Sequence, residues 1–226
     1  MARWMKLLVG VWIAAVVTLG VTIPIGYIPG LGDRARILFF HVPMSWVAVL
    51  AFLMSMWYGI AYLRKRDIMN DIKSASAAEL GFVFCILATI TGSIWARFNW
   101  GSFWNWDPRE TSIFVLLLIY GAYFSLRSAL EIEERRASLS AVYSIVAFVT
   151  VPFFIFIMPR ITFSLHPGGA GSVAPILNTS GKMYMGTNMK YVFFASLIGF
   201  TGLYLWLFQL RTRIATVTYH KHAESA

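Results

Sequence analysis

Four histidines occur in the chain, and two of them, His41 and His166, sit where a neutral imidazole could ligate a metal. Each is close to a proline: His41 is two residues before Pro43, and His166 directly precedes Pro167 in SLHPGGAGS. Between them lies Trp100-Gly-Ser-Phe-Trp104-Asn-Trp106-Asp107-Pro-Arg109-Glu110-Thr111, an aromatic run closed by a mixed-charge cluster. A flat aromatic shelf with a polar rim suits a large planar ligand that carries anionic groups. Two imidazoles on either side of such a shelf suit the two axial positions of a low-spin iron porphyrin. Carboxylates on that ligand would draw guanidinium groups, which meet them in two-pronged fashion. Arg34, Arg36, Arg97, Arg109 and Arg160 are the candidates. Glu110 is expected to pair with Arg109 or with an inward neighbour.

The elements that hold these residues are membrane spans. The chain has 226 residues, 58% hydrophobic and 13% charged, with a mean hydropathy of +0.67. So apolar a chain cannot bury its surplus inside one soluble globule of this size. A cytosolic enzyme, a disordered chain and a disulfide-stapled secreted domain are excluded. Cys85 is the one cysteine, which leaves no CxxC centre and no thiolate cage. A crossing needs roughly 20 apolar residues over a core of about 30 Å. Six windows qualify: Leu7–Ile28, Pro43–Leu63, Glu79–Ala96, Ser112–Leu126 (extending toward Leu130), Ala141–Met158 and Tyr191–Leu210. The sequence therefore predicts an all-α integral membrane protein, a bundle of six transmembrane helices forming one domain over residues 1–226. Pro24 and Pro152 fall inside apolar runs and are expected to kink them. Span one reads as a retained anchor rather than a cleaved leader.

The net charge of +9 is a topological signal. Most of the lysines and arginines flank one end of the spans: Arg3, Lys6, Arg64, Lys65, Arg66, Lys73, Arg127, Arg135, Arg136, Arg211, Arg213 and Lys221. The smaller set, on the opposite joints, is Arg34, Arg36, Arg97, Arg109, Arg160, Lys182 and Lys190. The positive-inside rule then puts both termini in the cytoplasm, and nothing in the pattern calls for nucleic acid. Three joints face outward: Pro29–Val42 with His41, the tryptophan-rich loop 97–111, and the loop 159–190 with His166. The glycine run Gly168–Gly171 would give the third joint freedom to let His166 leave an iron. His220 and His222 lie in the cytoplasmic tail, away from the other two.

The run W-G-x-x-W-x-W-D-x-R-x-T, carried by Trp100, Gly101, Trp104, Trp106, Asp107, Arg109 and Thr111 and followed by Ser112, resembles the WWD signature of the haem-handling membrane proteins of cytochrome c maturation. Six-span members with one histidine before span two and another before span six form the CcmC family of system I haem exporters. Length, spans and histidine placement agree with that family along the chain. The resemblance implies haem b at the outer leaflet of a bacterial inner membrane, between His41 and His166. Trp100, Trp104, Trp106, Asp107 and Arg109 would line it. It also implies an ABC transporter with ATPase and permease subunits, a small single-span partner, and a periplasmic haem chaperone that receives the haem. The chain has no Walker lysine motif, so the energy would come from that transporter. One departure is Trp106-Asp107-Pro108-Arg109-Glu110, closer to the W-D-P-[KR]-E of the haem lyases, which makes a short system II-type haem lyase or export subunit the alternative. A copper-handling protein is a further reading, because Met183, Met185 and Met189 offer soft thioethers.

Overall fold

The computed structural model describes residues 1–26, 31–166 and 185–225. Its six spans correspond one to one with the six apolar windows. Helix α1 is Arg3–Thr22, α2 His41–Lys65, α3 Ile68–Trp100, α4 Pro108–Ala129 and α5 Glu133–Pro152. A π-helical turn, Phe153–Ile157, and the short α6, Met158–Ile161, continue α5, and α7 is Thr187–Ser225. A 3-10 segment, Gly32–Phe39, leads into α2. No strand occurs among the described residues.

Lipid offers no hydrophobic drive between helices, so close packing of small residues has to hold them together. Helices α2 and α3 form the closest pair. Gly81 of α3 admits the Phe52 ring, which would lie 2.6 Å from a Cβ there, and Gly59 of α2 lies against Ser144 of α5 in the same way. Phe52 also stacks on Tyr120 of α4 at 3.5 Å, which joins three helices in one core. Helix α1 is peripheral, with only Val16 and Gly20 buried. It is tied to α7 by Trp12, whose Nε1–H donates to the Ala195 carbonyl at 2.8 Å, and by Gly199, where Trp12 leaves no room for a side chain. The chain start reaches Gln209 late in α7, so both chain ends lie at the same end of the bundle.

That end is fastened by charge. Arg127 of α4 grips Asp71 of α3 with two bonds, 2.7 and 2.8 Å, and both side chains are largely buried. Arg211 of α7 meets Glu79 of α3, its Nη2 lying 3.0 Å from Oε1. Removing one partner of a buried pair strands the other charge, which costs roughly 3–5 kcal/mol. Arg127→Met should therefore lower the melting temperature in detergent markedly. Adding Asp71→Leu should restore most of the loss.

Several helix ends differ from the apolar windows: α5 begins at Glu133, ahead of Ala141, and α7 runs past Leu210 to Ser225. Helix α1 stops at Thr22, so Pro24 lies beyond a helix end and kinks nothing. Ile23, the residue preceding it, is extended at φ −62°, ψ 144°, as a following proline demands. Pro152 does disturb its helix: the missing N–H is followed at once by the π-helical turn, whose residues turn out to wall the site. Helix α3 begins at Ile68, well before its apolar window. Asp67 caps it by accepting from the Met69 N–H at 3.0 Å, and Arg66 ends α2 in a left-handed conformation, so two residues make the whole joint.

Candidate ligand site at one end of the bundle

The end opposite the chain termini holds a partly open cavity of about 210 Å³. Its walls come from the 3-10 segment, α2, α3, α4 and the π-helical turn, and they are mostly apolar. The polar exceptions include His41, Arg109, Glu110 and His166.

His41 is the first residue of α2, placed there because Pro43 suits a first helical turn. Its Nδ1 lies 3.1 Å from Oγ1 of Thr91 on α3. The Thr91 hydroxyl proton is spent on the Leu87 carbonyl, 2.8 Å away, so the oxygen accepts and His41 Nδ1–H donates. Nε2 is left as a lone pair. Gly92 makes the approach possible, because a Cβ there would be 3.0 Å from the His41 ring.

His166 is fixed through the tryptophan-rich loop. Gly101 ends α3 at φ 82°, and Asp107 starts α4 as its N-cap with Pro108 in the first turn. Glu110 closes a capping box, its Oε2 accepting from the N–H groups of Asn105 (2.7 Å) and Asp107 (3.3 Å). These two donors flank Trp106, which is held at φ 56°, a costly conformation for a bulky residue. Glu110 thus caps its own helix through Oε2, and no ion pair joins it to Arg109.

The same box aims the Asp107 carboxylate at the third joint. Its side chain, 1% exposed, accepts from the N–H groups of Arg109 (2.9 Å) and Leu165 (2.7 Å), from the Ser164 hydroxyl (2.9 Å), and from His166 Nδ1 (2.9 Å). A carboxylate only accepts, so Nδ1 carries the proton and Nε2 is again the free lone pair. Burial alone would raise the Asp107 pKa. The bonds from His166, Arg109 and Leu165 outweigh it and hold the group at about 2. Burial holds the His166 pKa below its ordinary value, which keeps the imidazole neutral near pH 7. Because the folded-state pKa of Asp107 is depressed, its contribution is complete above the ordinary carboxylate range and disappears as pH falls toward 2. We expect Asp107→Asn to lower apoprotein stability by on the order of 2 kcal/mol at pH 7. Melting curves of the two proteins should converge as pH falls from 5 toward 2.

The anticipated site residues therefore divide. His41, His166, Trp104 and Arg109 line the cavity. Trp100 stands edge-on to the His166 ring at 4.6 Å, and Asp107 holds that ring from behind. Trp106 is 70% exposed and touches Trp104 edge-on at 5.8 Å. Of the five arginines, Arg109 is the one among the lining residues. Arg36 donates to the Gly20 and Ile23 carbonyls, Arg34 to Asn99, Arg97 to Gly101 and Arg160 to Phe156. Nε of Arg109 and Oε1 of its neighbour Glu110 are both buried without a partner among the described residues.

Trp95, Thr91, Gly92 and Ser164 complete the site. Trp95 stacks on His166 at 5.7 Å and 28°. Only the spacing of Thr91 and Trp95 along one face of α3, and of Ser164 two residues before His166, could have marked them. In the loop 159–190, residues 167–184, with the glycine run and Met183, lie outside the described residues. Met185 and Met189 are buried in an apolar cluster with Leu31, Phe39 and Phe193.

A family model described as "Heme exporter protein C" matches residues 1–226. "Heme exporter protein C" of Paracoccus denitrificans (strain Pd 1222) is 32% identical over 182 residues, which are 80% of this chain and 73% of that protein. The "Putative cytochrome c biosynthesis ccmC-like mitochondrial protein" of Arabidopsis thaliana is 25% identical over 219 residues, 95% of this chain and 79% of that protein. "Cytochrome c biogenesis protein CcsA" of Panax ginseng is 30% identical over 110 residues, only 48% of this chain and 33% of that protein.

Proposed function

This chain belongs to the Heme exporter protein C family, and from that premise and the cavity's geometry we propose that it holds haem b as cargo between His41 and His166. A role in haem handling for cytochrome c maturation, by a multi-pass membrane protein, follows from the family itself. The bis-histidine site rests on one observation. Two imidazoles from different elements enter one apolar cavity, each with Nδ1 occupied and Nε2 free. That donor set fits the axial positions of a porphyrin iron. Trp104 and Trp95 give the macrocycle flat apolar walls, and Arg109 brings a buried guanidinium to a propionate. Bis-imidazole ligation closes both iron faces to oxygen.

Both termini are cytoplasmic in this reading, and the cavity opens at the periplasmic face of a bacterial inner membrane. An ABC transporter's ATPase and permease subunits, with a small single-span protein, supply energy for release. A periplasmic chaperone takes the haem at the tryptophan-rich loop, where exposed Trp106 and Phe103 offer an aromatic surface. The chain-long exporter match favours this role over a short system II-type lyase or export subunit, since the CcsA match covers about half the chain. Copper handling gains no support from Met185 and Met189, which serve as core filling.

Absorption spectroscopy and metal analysis of the purified protein test the reading. A Soret band with a six-coordinate low-spin spectrum and one iron per chain is the expected result. Stoichiometric copper in a protein without haem would overturn it.

A further inference from the structure

The two histidines have unlike partners. Behind His166 Nδ1 stands a buried carboxylate, pinned by two backbone N–H groups and the Ser164 hydroxyl. Behind His41 Nδ1 stands the neutral Thr91 oxygen, at a longer distance. A full negative charge draws the Nδ1 proton toward itself and makes Nε2 a stronger donor to iron, whereas a hydroxyl does so far less. The rings are also packed differently. Trp95 and Trp100 hold the His166 ring on two sides, while no aromatic ring among the described residues packs against His41, which borders the bare backbone of Gly92.

We propose that the two axial positions are unequal. His166, set by Asp107, is the retained ligand, and ligand exchange at the iron takes place on the His41 side. The inference rests on the haem reading above and sharpens it by naming the face from which an acceptor's ligand enters. In that step the iron–Nε2 bond to His41 breaks, the imidazole keeps its electron pair, and the entering ligand supplies the pair for the new bond. The iron changes neither oxidation state nor charge. Asp107 and Thr91 act as positioning residues through the two histidines. The hold on His166 works against its release by the third joint, whose glycine run lies outside the described residues.

Carbon monoxide binding to the reduced, haem-loaded protein in detergent tests the ranking, because the iron–carbon stretch in resonance Raman reports the donor strength of the ligand opposite. Carbon monoxide should replace His41, so wild type, His41→Ala and Thr91→Val should give the same adduct. Asp107→Asn should raise the iron–carbon stretch by weakening the donor opposite. Ser164→Ala removes a competing donor from Asp107 and strengthens its pull on His166, so the stretch should fall. That opposite sign is not expected of simple structural damage, and it keeps the test decisive if Asp107→Asn fails to fold. A wild-type adduct matching that of His166→Ala, or one that Thr91→Val moves and Ser164→Ala does not, overturns the ranking. A colourless wild-type protein instead contradicts the haem reading itself.

Discussion

Alanine at His41 or at His166 is expected to turn a six-coordinate low-spin haem into a five-coordinate one and to strip most of it during purification. Loss of an outer-shell partner of a ligand costs roughly 10–100-fold in affinity, and loss of the ligand itself should cost more. The two variants should not differ in fold. His41 stands in the first turn of α2, where its neighbour Pro43 already favours the helix start. His166 follows a segment still fastened to Asp107 through Ser164 and Leu165. Absorption spectra, with circular dichroism as the check on folding, measure the effect. The control is His220→Ala. His220 lies 33 residues along α7 from Thr187, on the order of 50 Å at 1.5 Å per residue, at the far end of the bundle. Its replacement should leave the spectrum unchanged.

The second large effect is expected at Arg109. Its Nε is buried and unpartnered among the described residues, an arrangement that costs free energy unless a ligand repays it. A hydrogen bond to a charged group contributes about 1.5–3 kcal/mol. Arg109→Leu should therefore weaken haem binding by roughly 10–100-fold. The backbone N–H of residue 109 still donates to Asp107 in the variant, so the His166 support survives. Titrating apoprotein with iron mesoporphyrin and with its dimethyl ester separates charge pairing from packing. The variant should lose affinity for the diacid and keep its affinity for the ester. Equal losses for both would assign Arg109 to packing alone.

The spans were legible because the hydrocarbon core forbids charge over its whole depth, and that constraint is written residue by residue. Helix ends were less legible. Ile68 to Ala78 of α3 is polar enough to read as a joint, yet it is helical because Asp67 caps it and α2 packs along it. Pro24 looked like a kink because its surroundings are apolar, although the helix has already ended at Thr22. In the site, His41, His166, Trp104 and Arg109 could be anticipated because they are polar or aromatic residues in joints, where packing does not explain them. Thr91, Gly92 and Trp95 could not, since within an apolar span they look like ordinary membrane packing. The use of Asp107 was hidden for another reason. A carboxylate before Pro108 announces a helix cap, but the donor it shares is 59 residues away and arrives only with the tertiary fold.

Electron–nuclear double resonance on the ferric protein grown with ¹⁵N-histidine addresses the central claim most directly. The account expects nitrogen couplings from two histidine ligands in the wild type, and from one after alanine replaces either His41 or His166. Two histidine couplings that persist in the absence of His41 and His166, or iron without any histidine coupling in the wild type, would contradict it.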